Sequence, residues 1–212
     1  YGSVSGKKVD EDGNALGGAM IGLFRTDDGE FTKENALMTT TSAKDGSFSF
    51  ENIPCGTWYV REIEQPTGFV LDDTIYPVTI GTDGQVVEIE IVNEYGRGNI
   101  HLTKVDSEYP DNKLTGAIFE VYKDSNNNGK LDDSDELLGT LTEKEAGEYG
   151  MNDLFYGRYF VKETKAPDGF VLDTDVYEVV IDTDGKTYDV ENKAGVGFIN
   201  EVMRGNLKIV KT

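Results

Sequence analysis

The chain has 212 residues, with 40 Asp and Glu against 20 Lys and Arg, a formal net charge of −20 and a pI near 4.3. That balance excludes nucleic acid and an anionic membrane surface as partners and favours solubility and cation binding. A single cysteine, Cys55, rules out an internal disulfide, and no apolar run approaches a membrane span or the core of a signal peptide. With 25 Gly, 11 Tyr and 10 Phe, and with Val, Thr and Ile in short runs broken by Asp-Gly turns, the composition is that of an all-β protein.

The first predicted strand, residues 2–9 (GSVSGKKV), returns at 98–105 (GNIHLTKV) and begins again at 205–211 (GNLKIVK). A lysine stands six places after each glycine: Lys8, Lys104 and Lys211. The chain is therefore read as two tandem repeats, 1–96 and 97–203, followed by the start of a third at 204–212, all part of something longer. Period-two alternation puts Ile100, Leu102 and Lys104 on one strand face, with His101, Thr103 and Val105 on the other. In the first copy Val4, Gly6 and Lys8 share the corresponding face, which selects Lys8 over Lys7. A Gly-Ala pair then leads into a second strand in each copy, within 16–24 (LGGAMIGLF) and 114–122 (LTGAIFEVY). A hairpin through Asp28-Gly29 is expected to follow in the first repeat. In the second, the acidic insert 124–136 (DSNNNGKLDDSDE) is expected to enlarge that hairpin and to be the main difference between the copies. Cys55, in the turn before the next strand, is expected to be a small buried residue.

That next strand opens the most similar stretch of the two copies, 58–69 (WYVREIEQPTGF) and 159–170 (YFVKETKAPDGF). Alternation aligns Trp58, Val60 and Glu62, or Tyr159, Val161 and Glu163, and the Pro and Gly that follow end the strand and turn the chain. Each repeat closes with a strand ending in Asn-Glu. Ile89, Ile91 and Asn93 share a face in the first, and Val196, Phe198 and Asn200 share one in the second.

Each repeat thus puts a Lys on its first strand, a Glu on a middle strand and an Asn on its last, all on apolar faces where an unpaired charge costs several kcal/mol. Two readings fit. One is a buried, hydrogen-bonded Lys-Glu pair with a nearby Asn. The other is chemical: a desolvated, neutral Lys attacks the Asn side-chain carbonyl, ammonia leaves, and an isopeptide bond remains, with a protonated Glu relaying protons. No cofactor is needed for that step.

The phrase at 159–170 resembles the signature Tyr-x-Val-x-Glu-x-x-Ala-Pro-x-Gly-Tyr of the Cna B-type domains of Gram-positive surface adhesins and pilins. Tyr159, Val161, Glu163, Ala166, Pro167 and Gly169 match, and Phe170 replaces the last Tyr. In the first repeat Val60, Glu62, Pro66 and Gly68 match, while Trp58, Gln65 and Phe69 depart from the signature. The resemblance implies two tandem β-sandwich domains of transthyretin-like or reversed immunoglobulin-like topology. It further implies cross-links from Lys8 to Asn93 and from Lys104 to Asn200, with Glu62 and Glu163 as catalysts. Such modules would form an extracellular stalk, anchored to the cell wall through sequence outside these residues, with neighbouring repeats as partners. The rival reading is a binding module that presents its loops to a host surface protein or glycan.

The acidic insert has the spacing of an EF-hand-like calcium loop. Asp124, Asn126, Asn128, Asp132 and Asp135 take the ligand positions, Lys130 offers its backbone carbonyl, and Gly129 makes the turn. Ordinary enzyme signatures are missing, because the one histidine, His101, falls on an outer strand face, away from any nucleophile.

Overall fold

The structure is a computed structural model. It describes residues 1–206 and 208 and divides into two compact units, Tyr1–Gly96 and Arg97–Thr212. Lys211 lies outside the described residues. The first unit contains β1 (Gly2–Asp10), β2 (Met20–Phe24), β3 (Met38–Thr41), β4 (Ser47–Ile53), β5 (Gly56–Glu64), β6 (Tyr76–Ile80) and β7 (Val86–Asn93). They form two sheets, in the orders β4-β1-β7 and β3-β2-β5-β6. Alternation of apolar and polar residues turns one face of each sheet inward, and Val4, Ile21, Phe50, Val60, Ile80 and Ile91 meet between them. Burying each such side chain contributes about 1.5–3 kcal/mol. Gly6 occupies an inward position with no side chain because the Phe48 ring fills it: a Cβ there would sit 2.0 Å from the ring.

The second unit repeats the plan with β8 (Arg97–Asp106), β9 (Ile118–Lys123), β10 (Glu136–Thr140), β11 (Thr142–Glu145), β12 (Glu148–Phe155), β13 (Gly157–Lys165), β14 (Val176–Ile181), β15 (Thr187–Asp189) and β16 (Phe198–Asn200). One sheet runs β10-β9-β13-β14. The other runs β11-β12-β8-β15, and β16 also pairs with β8. In both units the first and last strands are parallel neighbours: β1 faces β7 with Lys8 opposite Ile91, and β8 faces β16 with Lys104 opposite Phe198. The Glu-bearing strand is central in the opposite sheet, β5 or β13. Each domain is an all-β sandwich with a Lys and an Asn in one sheet and a Glu projecting from the other.

Three expectations are corrected. Cys55 is exposed, because Pro54 and Cys55 form the corner where the chain leaves β4 for β5 in the other sheet. The Trp58 ring fills the core beneath that corner, and its indole N–H donates to the Pro54 carbonyl at 2.9 Å. The β2–β3 hairpin forms as expected, with Asp28-Gly29 inside a long connection. The β2–β3 connection spans 25–37 and folds back, with Phe31 edge-on to Phe24 at 4.9 Å and the Arg61 guanidinium 4.7 Å above Phe31. The β9–β10 connection, 124–135, is no longer than this, so the acidic insert is not the main difference between the copies. The larger difference is in the last strand. β7 pairs with β1 without a break, whereas β15 and β16 are separated by residues 190–197, so Val196 lies in a turn.

Candidate functional site

Period-two alternation along β1 carries Lys8 inward while Lys7 faces solvent. Lys8, Glu62 and Asn93 are all at most 1% exposed. The Lys8 ammonium nitrogen stands 3.7 Å from Glu62 Oε1, and Asn93 Nδ2 donates to Glu62 Oε2 at 2.6 Å and to the Val70 carbonyl at 2.6 Å. The second domain repeats this arrangement. Lys104 Nζ is 3.9 Å from Glu163 Oε1 and donates to the Phe198 carbonyl at 3.1 Å, while Asn200 Nδ2 donates to Glu163 Oε2 at 2.9 Å. In each domain the carboxyl therefore spans the two nitrogens, with Oε1 toward the lysine and Oε2 on the asparagine.

Burial governs the electrostatics. Desolvation pulls Lys8 below its ordinary value and Lys104 down to about 8, against the opposing pull of Glu62 or Glu163. The same desolvation raises both glutamates above the usual carboxylate range, although their hydrogen bonds and the nearby lysine act to lower them. Both shifts move the pair toward a neutral amine beside a neutral acid. Several buried atoms have no hydrogen-bond partner: Lys8 Nζ, Glu62 Oε1, Asn93 Oδ1, Glu163 Oε1 and Asn200 Oδ1. Such atoms cost about 1–3 kcal/mol each and are rare in a settled core.

Two positions that the strand patterns do not single out complete each site. The backbone N–H of Asp72 donates to Glu62 Oε2 at 2.8 Å, and the Asp72 side chain accepts from Tyr76 Oη at 2.6 Å. Asp173 makes the same bond to Glu163, at 2.8 Å, and accepts from Tyr177 at 2.7 Å. The repeated Leu-Asp with a Tyr four residues on, in FVLDDTIY and FVLDTDVY, is the sequence signal that could have identified them. The signature residues hold the frame. Pro66 and Pro167 accept from Phe69 and Phe170 at 3.2 and 3.1 Å across turns whose Gly68 and Gly169 have φ of +93° and +87°, where glycine avoids strain. Trp58 substitutes for Tyr159 without loss, because the Tyr159 hydroxyl donates to the Phe155 carbonyl, also four residues upstream, at 2.7 Å.

The acidic loop folds on itself. Asp124 is buried and accepts from Asn128 N and Gly129 N, and Asp135 accepts from Ser125 N and Asp132 N. Asn126 and Asn128 turn their amide nitrogens onto Asp132, and Lys130 N donates to Asn128 Oδ1. Arg158 Nη1 stands 3.5 Å from Asp124 Oδ2. Among the described residues no group of three or more His, Cys, Asp or Glu side chains is placed to hold a metal ion. His101 lies on the outer face, between Asp189 and Glu148 at 2.6 and 2.8 Å.

Comparison with known proteins gives the family of both domains. A family model described as the SpaA prealbumin-like fold domain matches residues 2–95 and again 98–194. The chain belongs to this family. As SpaA domains, both copies fall among the Cna B-type repeats of Gram-positive adhesins and pilins. The serine-aspartate repeat-containing protein D of Staphylococcus aureus (strain Newman) is 28% identical over 183 residues, a match covering 77% of this chain and 12% of that protein. Among solved structures, the Bacillus anthracis TIE protein superposes with a TM-score of 0.73 at 25% identity, over 94% of this chain and 34% of that one. The C-terminal fragment of the pilus adhesin SpaC from Lactobacillus rhamnosus GG shares the fold, with a TM-score of 0.55 at 17% identity over 98% of this chain and 99% of the fragment. The chain thus spans 12% of the curated relative. No helix of the described residues is long and apolar enough to cross a membrane.

Proposed function

We propose that these SpaA domains are extracellular stalk modules of a Gram-positive adhesin or pilus subunit, each closed by its own isopeptide bond, Lys8 to Asn93 and Lys104 to Asn200. The supporting observation is the group of buried atoms left without partners in both domains, which a purely hydrogen-bonded cluster would pair. The lone pair of neutral Lys Nζ adds to the Asn side-chain carbon. Glu62 or Glu163, starting protonated, gives its proton to the departing Nδ2 from one side of the carboxyl and takes the proton released by Nζ on the other. The carbon–Nδ2 bond breaks, so that one amine and one primary amide become one secondary amide and one ammonia. Folding supplies the high effective concentration of the two groups. The domains are structural modules, each acting once on itself, with neighbouring repeats as partners.

Intact-protein mass spectrometry tests this reading. The expected deficit is two ammonia masses, reduced to one in Glu62→Ala and in Glu163→Ala. A full, unreduced mass overturns it and leaves a module that presents its loops to a host protein or glycan. We also propose one Ca2+ in the 124–135 loop, supported by the sequence spacing of Asp124, Asn126, Asn128, Asp132 and Asp135 and by the gathering of Asn126 and Asn128 on Asp132. The Arg158 guanidinium beside Asp124 opposes a second cation, so weak binding is expected.

A further inference from the structure

The interruption of the last strand in the second domain bears directly on its acceptor. In the first domain Asn93 ends an unbroken ladder with β1 that begins at Val86. Asn200 ends a strand of only three residues: β16 keeps Phe198 opposite Lys104, but residues 190–197 cut it off from β15 and the rest of the last strand. The break is itself ordered. Lys193 and Gly197 bridge its neck, and Gly197 has φ +124° and packs so closely that a Cβ would lie 2.7 Å from the Thr103 carbonyl.

One residue of this loop reaches the site. Asn192 behaves as a one-residue strand beside β16: its Nδ2 donates to the Ile199 carbonyl at 2.9 Å, and its Oδ1 accepts from Ile199 N–H at 2.6 Å. Both bonds fix the backbone immediately before Asn200. The same Nδ2 donates to Asp173 Oδ2 at 2.8 Å, and the Asp173 N–H is the donor that holds Glu163 Oε2. Asn192 therefore ties the acceptor strand to the segment that orients the proton carrier. The first domain has no such loop in its continuous β7.

We propose that Asn192 is a positioning residue for the second-domain cross-link, bracing through its side chain the short strand that carries the acceptor. This inference rests on the isopeptide reading, and the two domains of one chain let the two be tested separately. The full chain is synthesised in a cell-free reaction and acid-quenched at intervals, and the Lys8–Asn93 and Lys104–Asn200 linked peptides are quantified by mass spectrometry. Asn192→Ala is expected to slow the second link by at least roughly tenfold, because a small displacement of a reacting group costs that much or more. The first link should form at its usual rate. Asn192→Asp keeps the acceptor for Ile199 N–H but sets a carboxylate against Asp173. Relative to the wild type at the same pH, it should be slow at neutrality and recover as the solution is acidified and the introduced carboxyl gains a proton to donate, while Asn192→Ala shows no such recovery.

Wild-type speed in Asn192→Ala overturns the proposal, as does a Lys104 link to Asn192 itself. Equal slowing of both variants at every pH also overturns it, by reducing Asn192 to a support of the fold. Absence of both links from the wild-type chain refutes the isopeptide reading, and the positioning role with it.

Discussion

Lys104 and Glu163 hold one proton between them in the ion pair and in the neutral pair alike, and this sets the pH dependence of the proposed reaction. The productive state is neutral amine with protonated acid. It exists only while the pair holds a single proton, between the raised carboxyl value above 4.5 and the lysine value of about 8. The rate of second-domain bond formation is therefore expected to be bell-shaped, with its alkaline limb near pH 8, as read by timed mass spectrometry. Blocking the bond exposes the same pair to equilibrium measurement. In Asn200→Ala, Lys104 remains a free amine with a folded value of about 8 against 10.5 unfolded, so the unfolded chain holds the extra proton between those values. Stability must then rise with pH across that window, by on the order of 3 kcal/mol. The Glu163 contribution has the opposite sign, falling as pH rises just above 4.5. Urea unfolding of Asn200→Ala should show a trough near neutrality, and the cross-linked wild type should lack the alkaline rise because its lysine nitrogen is an amide. A flat profile in the variant would contradict the burial argument. At this scale the sequence was highly legible, since Lys8, Glu62 and Asn93 each broke an apolar alternation and did so again in the second copy. Cys55 was not, because a residue type that is usually buried carries no signal that its turn is a sheet-to-sheet corner.

Strands and their connections decide whether these side chains meet. The backbone of each lysine is pinned from the side: Gly46 O accepts from Lys8 N–H and Gly147 O from Lys104 N–H, both at 2.7 Å, while Leu16 and Leu114 N–H groups donate to the lysine carbonyls. Gly147 has φ +74°, and a Cβ there would lie 2.7 Å from the Lys113 Cβ and 3.0 Å from the Lys104 carbonyl. Gly147→Ala is therefore expected to lower the stability of the second domain by about 1–3 kcal/mol, measured by the unfolding midpoint of an uncross-linked background. The acidic loop offers a second test at this scale. Millimolar Ca2+ should raise the thermal midpoint of the wild type and not of Asp124→Ala, and removal by chelation should reverse the rise; equal responses would dismiss the calcium reading. Strand existence and facing were readable because period-two patterns are local. The 25–37 loop and the 190–197 break were not, because their shape is fixed by contacts distant in sequence: Phe31 on Phe24 and Arg61, and Asn192 on Asp173 and Ile199.

For each domain as a whole, what matters is where the proposed bond lies relative to the chain ends. β1 and β7 are parallel neighbours, so pulling the N-terminal end of one against the C-terminal end of the other loads their ladder in shear. A link from Lys8 to Asn93 carries that load from the first strand straight into the last, bypassing the roughly 85 residues between them. The same closure removes freedom from the unfolded chain. By analogy with a disulfide of similar loop size it would contribute roughly 4–5 kcal/mol, independent of redox conditions. Force spectroscopy on the wild-type chain is expected to show no unfolding step from either domain. Lys8→Arg keeps the charge but removes the nucleophile, and it should restore one step for the first domain only. That step should lengthen the chain by on the order of 280 Å, the reach of the freed residues less the folded span. A wild-type chain that extends by this length under moderate force has no bond across β1 and β7, and its stability rests on the hydrogen-bonded ladders and apolar core alone.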